Sequence, residues 1–293
     1  VSLPEALLTF LAAQLGSSLH FIEYISGGSI NQAAHLRTAS DDFFVKWNPH
    51  APVGMFAAEA AGLARLAATH ALRVPQVIWL GEMQPDLPDF LVLEWLPSAH
   101  PQNPNRFAEK LGEGLAALHL QAADQYGLDQ DNFIGSLPQK NTQTNSWARF
   151  YGESRIGFQM EIARQMGRLT PERERLLNKL CEKMLHLVPD SPAPSLLHGD
   201  LWGGNYFGTV NDVPVIYDPA VYYGHREVEL AFTELFGGFP QRFYQAYHAA
   251  HPLDSGYTDR KALYQLYPLM VHMNLFGGGY TTQVDNLIRR YLG

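Results

Sequence analysis

Residues 198–205 read HGDLWGGN, and thirteen residues later the apolar run VPVIY (213–217) ends in Asp218. An apolar strand gains nothing for a core by running into an aspartate. Two carboxylates, Asp200 and Asp218, with the neutral amide of Asn205 between them suit another task, holding a hard cation beside a hydroxyl group. The five-residue offset keeps Asp200 and Asn205 in one loop. There a carboxylate can accept a hydroxyl proton while an amide oxygen ligates magnesium. The plainer reading makes Asp200 and Asn205 turn caps and Asp218, before Pro219, a turn initiator. The rest of the chain chooses between them.

Upstream, Lys46 lies inside FFVKW (43–47), an apolar stretch with strand character. A lysine there has a reason to exist if it reaches phosphates while its stem lies along a sheet. Otherwise it is an edge-strand lysine guarding against aggregation. Glu59 follows thirteen residues on, in the Ala-rich helical stretch MFAAEAAGLARLAAT (55–69), where it can pair with Lys46. Between two strands, ISGGSINQ (25–32) supplies Gly27, Gly28 and Ser29, whose backbone amides can approach a phosphate closely. The segment Glu94, Trp95, Leu96 closes the last strand of this region and offers backbone groups to an adenine. A second glycine cluster, GGGY (277–280), has no strand and lysine after it and reads as a turn. The order is glycine-rich turn, Lys, Glu, linker, Asp with Asn, then Asp. It matches a bilobal kinase, and HGDLWGGN matches the protein-kinase catalytic loop with Gly in place of Arg.

The chain has 293 residues, 46% hydrophobic and 17% charged, with a formal net charge of −8. That composition buries a sizeable core, and the absence of a basic run argues against nucleic acid or an anionic membrane as partner. One cysteine, Cys181, excludes an internal disulfide framework and reads as a small buried hydrophobe. The opening VSLPEALLTFLAAQLG reads as an amphipathic helix and not a signal peptide, which makes a cytoplasmic setting the expectation. HFIEYIS, FFVKW, VPQVIWLG and FLVLEWL predict strands, with GGSINQAAHLRTASDD (27–42) as a turn-permitting connector. The proline-rich PSAHPQNPN marks a boundary. The expected architecture is α+β: a mostly antiparallel lobe with one helix over 1–96 and a larger helical lobe over 97–293. Within the latter, Phe107, Leu111, Leu115 and Leu118 form one helical stripe, short strands fall at PSLLHGD and VPVIYDPA, and ERER (172–175) reads as a solvated face.

HGDLWGGN, DPAVYYGHREVELAF (218–232), DNFIGSLPQKNTQTNSWARFYGESRIGFQ (131–159) and LVLEWL (91–96) resemble the fructosamine kinase (ketosamine-3-kinase) family, a branch of the aminoglycoside-phosphotransferase-like kinases. The likeness covers nearly the whole chain. It implies a protein-kinase-like fold and ATP-dependent phosphorylation of the third hydroxyl of a sugar-derived ketosamine, promoting deglycation. It further implies Asp200 as proton acceptor, Asn205 and Asp218 on Mg2+, Lys46 and Glu59 on the phosphates, and residues 94–96 on adenine. Two departures stand out. Ser29 replaces a cysteine common in eukaryotic members, so no redox switch is expected there. Glu229 replaces a more usual Asp.

Substrate contacts are less legible. Asn132, Gln139 and Asn141 can hydrogen-bond sugar hydroxyls, or else satisfy loop backbone. Trp202 can stack on a sugar face, or else pack between lobes. His225, Arg226 and Glu227 are expected to organise the loop after Asp218, and His272 to be structural. The acceptor is a free or protein-bound ketosamine, and the oligomeric state is left open, a monomer being plausible. A kinase of the same fold for an aminoglycoside or choline, or a nucleotide-binding pseudokinase, remains the alternative.

Overall fold

The computed structural model describes residues 3–25, 30–81 and 86–292, so Gly27, Gly28 and Ser29 lie outside the described residues. Helix α1 (Glu5–Leu15) comes first and buries Leu7 and Leu11. Strands β1 (His20–Tyr24), β2 (Gln32–Arg37) and β3 (Asp42–Asn48) follow, then α2 (Met55–Ala67), β4 (Val77–Gly81) and β5 (Asp89–Glu94). The five strands form one antiparallel sheet in the order β1-β2-β3-β5-β4. Side chains alternate across a strand, so the two faces of β3 meet different helices. Phe43, Val45 and Trp47 pack with Leu7 and Leu11 of α1. Phe44 packs with Met55, Phe56 and Leu63 of α2. Lys46 therefore faces α2 and the site.

Strand β2 falls inside the segment that the sequence suggests is a connector. Its Ala33 and Ala34 are small and carry little strand signal. Pairing decides the matter: Ala33 sits opposite Lys46 and Ala34 opposite Val45 in the ladder with β3.

After the proline-rich break, Asn103 caps α3 (Pro104–His119) by accepting the Arg106 N–H at 3.0 Å. Phe107, Leu111, Leu115 and Leu118 are all buried along one stripe, as their spacing predicts. A hairpin of β6 (Asn132–Ile134) and β7 (Leu137–Gln139) follows. Then come α4 (Trp147–Arg149), a π-helix over Phe150–Gly157, α5 (Phe158–Gln165), α6 (Pro171–Glu182) and α7 (Met184–Leu187). Short strands β8 (Ser195–Leu197), β9 (Tyr206–Gly208), β10 (Pro214–Ile216) and β11 (Tyr222–Gly224) form two antiparallel pairs, β8 with β11 and β9 with β10. Helices α8 (Glu227–Thr233), α9 (Gln241–Ala250), α10 (Tyr257–Phe276) and α11 (Gly279–Leu292) complete the chain. Gly112 lets α3 and α9 touch, since a Cβ there would lie 2.3 Å from the Phe243 carbonyl oxygen.

The ERER run departs from a wholly solvated face. Arg173 is 6% exposed and makes a two-point ion pair with Asp285 of α11, at 2.7 and 3.0 Å. GGGY is a turn: Gly277 and Gly278 have positive φ and separate α10 from α11. No helix among the described residues is long and apolar enough to cross a membrane.

Cys181 is half-buried against the helical core, its Sγ 3.6 Å from the Gly152 carbonyl oxygen, and burial pushes its thiol up to about 11. Thiolate is therefore scarce at neutral pH. Alkylation by iodoacetamide at pH 7.5 is expected to be slow, and peroxide is expected to leave activity intact. A rapid, thiol-reversible loss of activity would count against this.

Candidate active site

Lys46 is 3% exposed, and its Nζ stands 3.0 Å from both carboxylate oxygens of Glu59 on α2 and 2.6 Å from Oδ1 of Asp218. Burial works against its charge, but the Asp218 and Glu59 carboxylates outweigh burial and raise its pKa. Burial pushes Glu59 up to about 7 against the pull of Lys46. The small sheet and the helical part of the chain are thus joined at this lysine.

Strand β8 delivers His198, Gly199 and Asp200 to the same place. Glu229 of α8 holds them from behind. Its Oε2 accepts the His198 N–H at 3.0 Å, its Oε1 accepts the Gly199 N–H at 2.6 Å, and His119 Nε2 lies 3.0 Å from Oε2. Burial opposes charge on Glu229, yet these partners outweigh it and hold its pKa below the ordinary carboxylate value. His198 accepts the Asp200 N–H at Nδ1 (3.3 Å), so its Nε2 carries the proton donated to the Tyr217 carbonyl at 2.9 Å. Burial lowers the pKa of that imidazole and keeps it neutral. Gly199 has φ +85°, and a Cβ there would lie 2.0 Å from the Ala220 carbonyl oxygen. Only glycine lets the two loops touch.

Asp200 and Asn205 meet as their spacing suggests. The Asn205 amide donates to the Asp200 backbone oxygen at 2.8 Å and to Asp200 Oδ2 at 3.0 Å. Its nitrogen is thereby committed, leaving Oδ1 as the atom open to a cation. Asp218 adopts φ +55°, a left-handed conformation that Asp tolerates better than most residues. Burial, then the Asp218 charge, pushes Asp200 up to about 8. Two carboxylates repelling each other beside a free amide oxygen are the donor set of a hard divalent cation, so these residues fit Mg2+.

The profile of the family described as fructosamine kinase matches residues 5–293. The chain belongs to the fructosamine kinase family. It is 44% identical to the "Probable ketoamine kinase" of Synechocystis sp., over 92% of this chain and 89% of that one. It is 36% identical to the chloroplastic protein-ribulosamine 3-kinase of Arabidopsis thaliana, over 92% of this chain and 81% of that one. A crystal structure from Thermobifida fusca described as a "Putative fructosamine-3-kinase" superposes with a TM-score of 0.85 at 35% identity, covering 99% of each chain. At 18% identity, an aminoglycoside phosphotransferase crystallised with AMP-PNP and hygromycin B shares the fold, with a TM-score of 0.67 over 98% of this chain and 99% of that one. The expected α+β, protein-kinase-like architecture is therefore the one this fructosamine kinase family member has.

The remaining candidates fall in several places. Glu94 spends its carboxylate on Arg73, at 2.5 Å from both oxygens, and Trp95 stacks on His35 at 3.8 Å. Trp202 is partly buried and meets Phe236 edge-on at 6.4 Å. Asn132, Gln139 and Asn141 do not line an open surface. They are 5%, 1% and 1% exposed, and the first two donate to the Val221 and Ala220 carbonyls at 2.8 and 2.9 Å. Satisfying buried backbone groups has taken the place of meeting sugar. His272 bonds the Pro268 carbonyl at 2.8 Å and packs among Phe236 and Tyr280, a structural position. His119 escaped the sequence reading, and Glu229 was legible only as a departure from the family pattern. A buried acid five residues past the end of β11 leaves no local signal.

His225, Glu227 and Asp254 gather ligand atoms within 4.8 Å, but Glu227 already holds Arg260 at two points, 2.7 and 2.8 Å, which makes this an ion-pair site. Burial and the nearby Arg260 and Arg226 charges lower His225 to about 3. Its folded pKa is below its unfolded one, so on acidification below about 6.5 the unfolded chain takes up a proton that the native state refuses. Stability should fall by about 2 kcal/mol at pH 5 from this residue, with His198 acting in the same direction. Urea unfolding of the parent and of a His225→Gln variant at pH 7.5 and 5.0 measures it by difference, since Asp200 and Glu59, whose folded values are raised, act the opposite way on acidification. An identical pH dependence in the two proteins would remove His225 as the cause.

Proposed function

We propose that the protein transfers the γ-phosphoryl group of ATP to the third sugar hydroxyl of a ketosamine, a fructosamine or ribulosamine, and so promotes deglycation in the cytoplasm. Residues 1–96 serve as the nucleotide lobe and 97–293 as the catalytic and acceptor lobe. The observation that carries this reading is the convergence of Asp200, Asn205, Asp218, Lys46 and Glu59 on one point from four separate segments. The family and the names of its relatives support the acceptor class. AMP-PNP in a protein of the same fold supports ATP as donor.

Asn205 Oδ1 and the Asp218 carboxylate would hold Mg2+, whose charge offsets that of the phosphates. Lys46, held by Glu59, is placed to bind the α- and β-phosphates once it releases Asp218. Backbone groups of Glu94, Trp95 and Leu96 are assigned to the adenine, since the first two side chains are engaged elsewhere. Gly27, Gly28 and Ser29 are assigned to the phosphates from sequence. Asp200 orients the acceptor hydroxyl. As that oxygen bonds to the γ-phosphorus, the bond from phosphorus to the β-phosphate oxygen breaks, ADP departs, and the hydroxyl proton passes to Asp200. Trp202, two residues from Asp200, offers a ring for the sugar to stack on. Asn132 and Gln139 support the loop from within.

The test is an acceptor screen. With ATP, magnesium and fructosyl-lysine or ribulosyl-lysine, phosphate should appear on the third hydroxyl by NMR, and free lysine should follow, because phosphate beside the keto-amine carbons leaves readily. Turnover with aminoglycosides or choline and with no ketosamine would defeat the acceptor assignment and spare the kinase assignment.

A further inference from the structure

Arg155 is a fully buried charge with no part in the chemistry above. It lies on the π-helix with 0% of its surface exposed. Among the described residues its partners are all neutral. It donates to the Lys140 carbonyl at 2.5 Å, the Ser154 carbonyl at 3.3 Å and Asn141 Oδ1 at 2.9 Å. Its guanidinium carbon stands 3.9, 4.5 and 5.3 Å from the ring centres of Tyr222, Phe150 and Tyr267. Burying a guanidinium without a carboxylate is costly, and an apolar side chain of similar length would fill the space. Its position therefore calls for a further reason.

That reason lies in direction. From Arg155 a chain of amides runs to the loop that follows Asp218. Asn141 Nδ2 donates to Asn132 Oδ1 at 2.8 Å, Gln139 Nε2 donates to the same oxygen at 2.8 Å, and Tyr267 donates to Gln139 Oε1 at 2.6 Å. The chain ends with Asn132 Nδ2 on the Val221 carbonyl and Gln139 Nε2 on the Ala220 carbonyl. An amide side chain can face either way, but a guanidinium only donates and a carbonyl only accepts. With Arg155 taking its oxygen and the Gln130 carbonyl accepting from its nitrogen at 3.2 Å, Asn141 presents oxygen to Arg155 and nitrogen to Asn132, and Asn132 then presents nitrogen to Val221. Without a donor at that end, a reversed Asn141 would set oxygen against oxygen along the chain. Ala220 is the residue pressed against Gly199, and its N–H donates to the His198 carbonyl at 2.9 Å.

We propose that Arg155 is a positioning residue for the metal-binding loop. As the donor-only end of a buried amide chain, it aims Asn132 and Gln139 at the carbonyls of Val221 and Ala220 and so holds Asp218 in register with Asp200. This rests on the reading of Asp218 as a metal ligand.

Three variants test it by two readouts: hydrogen exchange of the backbone at residues 219–224 in metal-free protein, and the magnesium concentration giving half-maximal activity. Arg155→Met removes the donor. Asn141→Asp gives Arg155 a carboxylate, which favours folding, yet cannot donate to Asn132. Both should speed exchange at Ala220 and raise the half-saturating magnesium concentration about tenfold, with KM for the acceptor unchanged. Arg155→Lys keeps a donor-only end and should stay near the parent in both. If Arg155→Lys is as impaired as Arg155→Met, bulk and not direction is what matters, and the proposal fails. It also fails if Asn141→Asp folds and keeps the parent exchange and magnesium dependence, a result that stands even should Arg155→Met not fold. Faster exchange with unchanged magnesium dependence would overturn the link to the metal. The predicted exchange pattern in a protein inactive on every ketosamine would support the amide chain while removing the acceptor reading.

Discussion

Asp200→Asn is expected to lower turnover about 10²- to 10⁴-fold while nucleotide binding persists. Asparagine keeps the acceptor oxygen that receives the Asn205 amide at 3.0 Å, but it takes no proton from a hydroxyl. The same change has a second, opposite sign. Burial and the Asp218 charge push Asp200 up to about 8, so the folded protein holds a carboxyl where ionisation is disfavoured. A group whose folded pKa is raised in this way opposes folding at any pH above its unfolded value. Asp200→Asn removes that opposition. The metal-free variant should therefore melt at a higher temperature than the parent at pH 7.5. Stopped-time ADP formation and thermal unfolding measure the two effects. Near-parental turnover would remove Asp200 as the base, and a lower melting temperature would show that its charge is better accommodated than its surroundings imply.

Asp218→Ala is expected to reduce magnesium-supported activity roughly 10³-fold, because in the proposed mechanism the lost carboxylate is a metal ligand and such charge stabilisation amounts to several kcal/mol. Alanine also strains the position. At φ +55° an ordinary L-residue is disfavoured by about 1–2 kcal/mol. Asp218→Asn separates the two causes, since Asn accepts the left-handed backbone and keeps a neutral oxygen. It should recover most of the stability and little of the activity. A magnesium titration decides the matter: saturation of either variant at the parental concentration would leave Asp218 a turn residue only.

The parts of this site that were legible were those where a residue's chemistry contradicts its surroundings. Lys46 stood out because it interrupts an apolar strand, and strand alternation then placed it on the face of α2, within 3.0 Å of Glu59. Asp218 stood out because it ends an apolar run. The fold class followed from strand and helix spacing in the same way. Residues that escaped are those whose surroundings form only on folding. Glu229 lies 31 residues from His198 and 110 from His119, and neither distance leaves a periodic trace. Asn132, Gln139 and Asn141 looked like sugar ligands because an amide that faces a hydroxyl and one that faces a carbonyl are spelled alike. Strand β2 was hidden by Ala33 and Ala34, whose strand character comes from β3 beside them. Arg173 shows the reverse case: a run of alternating charges suggests a solvated face, yet one member meets Asp285 across a helix interface.

The ion pair of Lys46 with Asp218 ties the two ligands of the resting protein together thermodynamically. A cation arriving alone must draw Asp218 from a buried ammonium that then has only Glu59 to answer it. A triphosphate arriving alone must draw the ammonium away and leave Asp218 facing Asp200 with no positive charge between them. When both arrive, each supplies the partner that the other displaces. On the proposed function, binding of metal and nucleotide is therefore expected to be synergistic, and by reciprocity whatever factor the nucleotide adds to metal affinity the metal should add to nucleotide affinity.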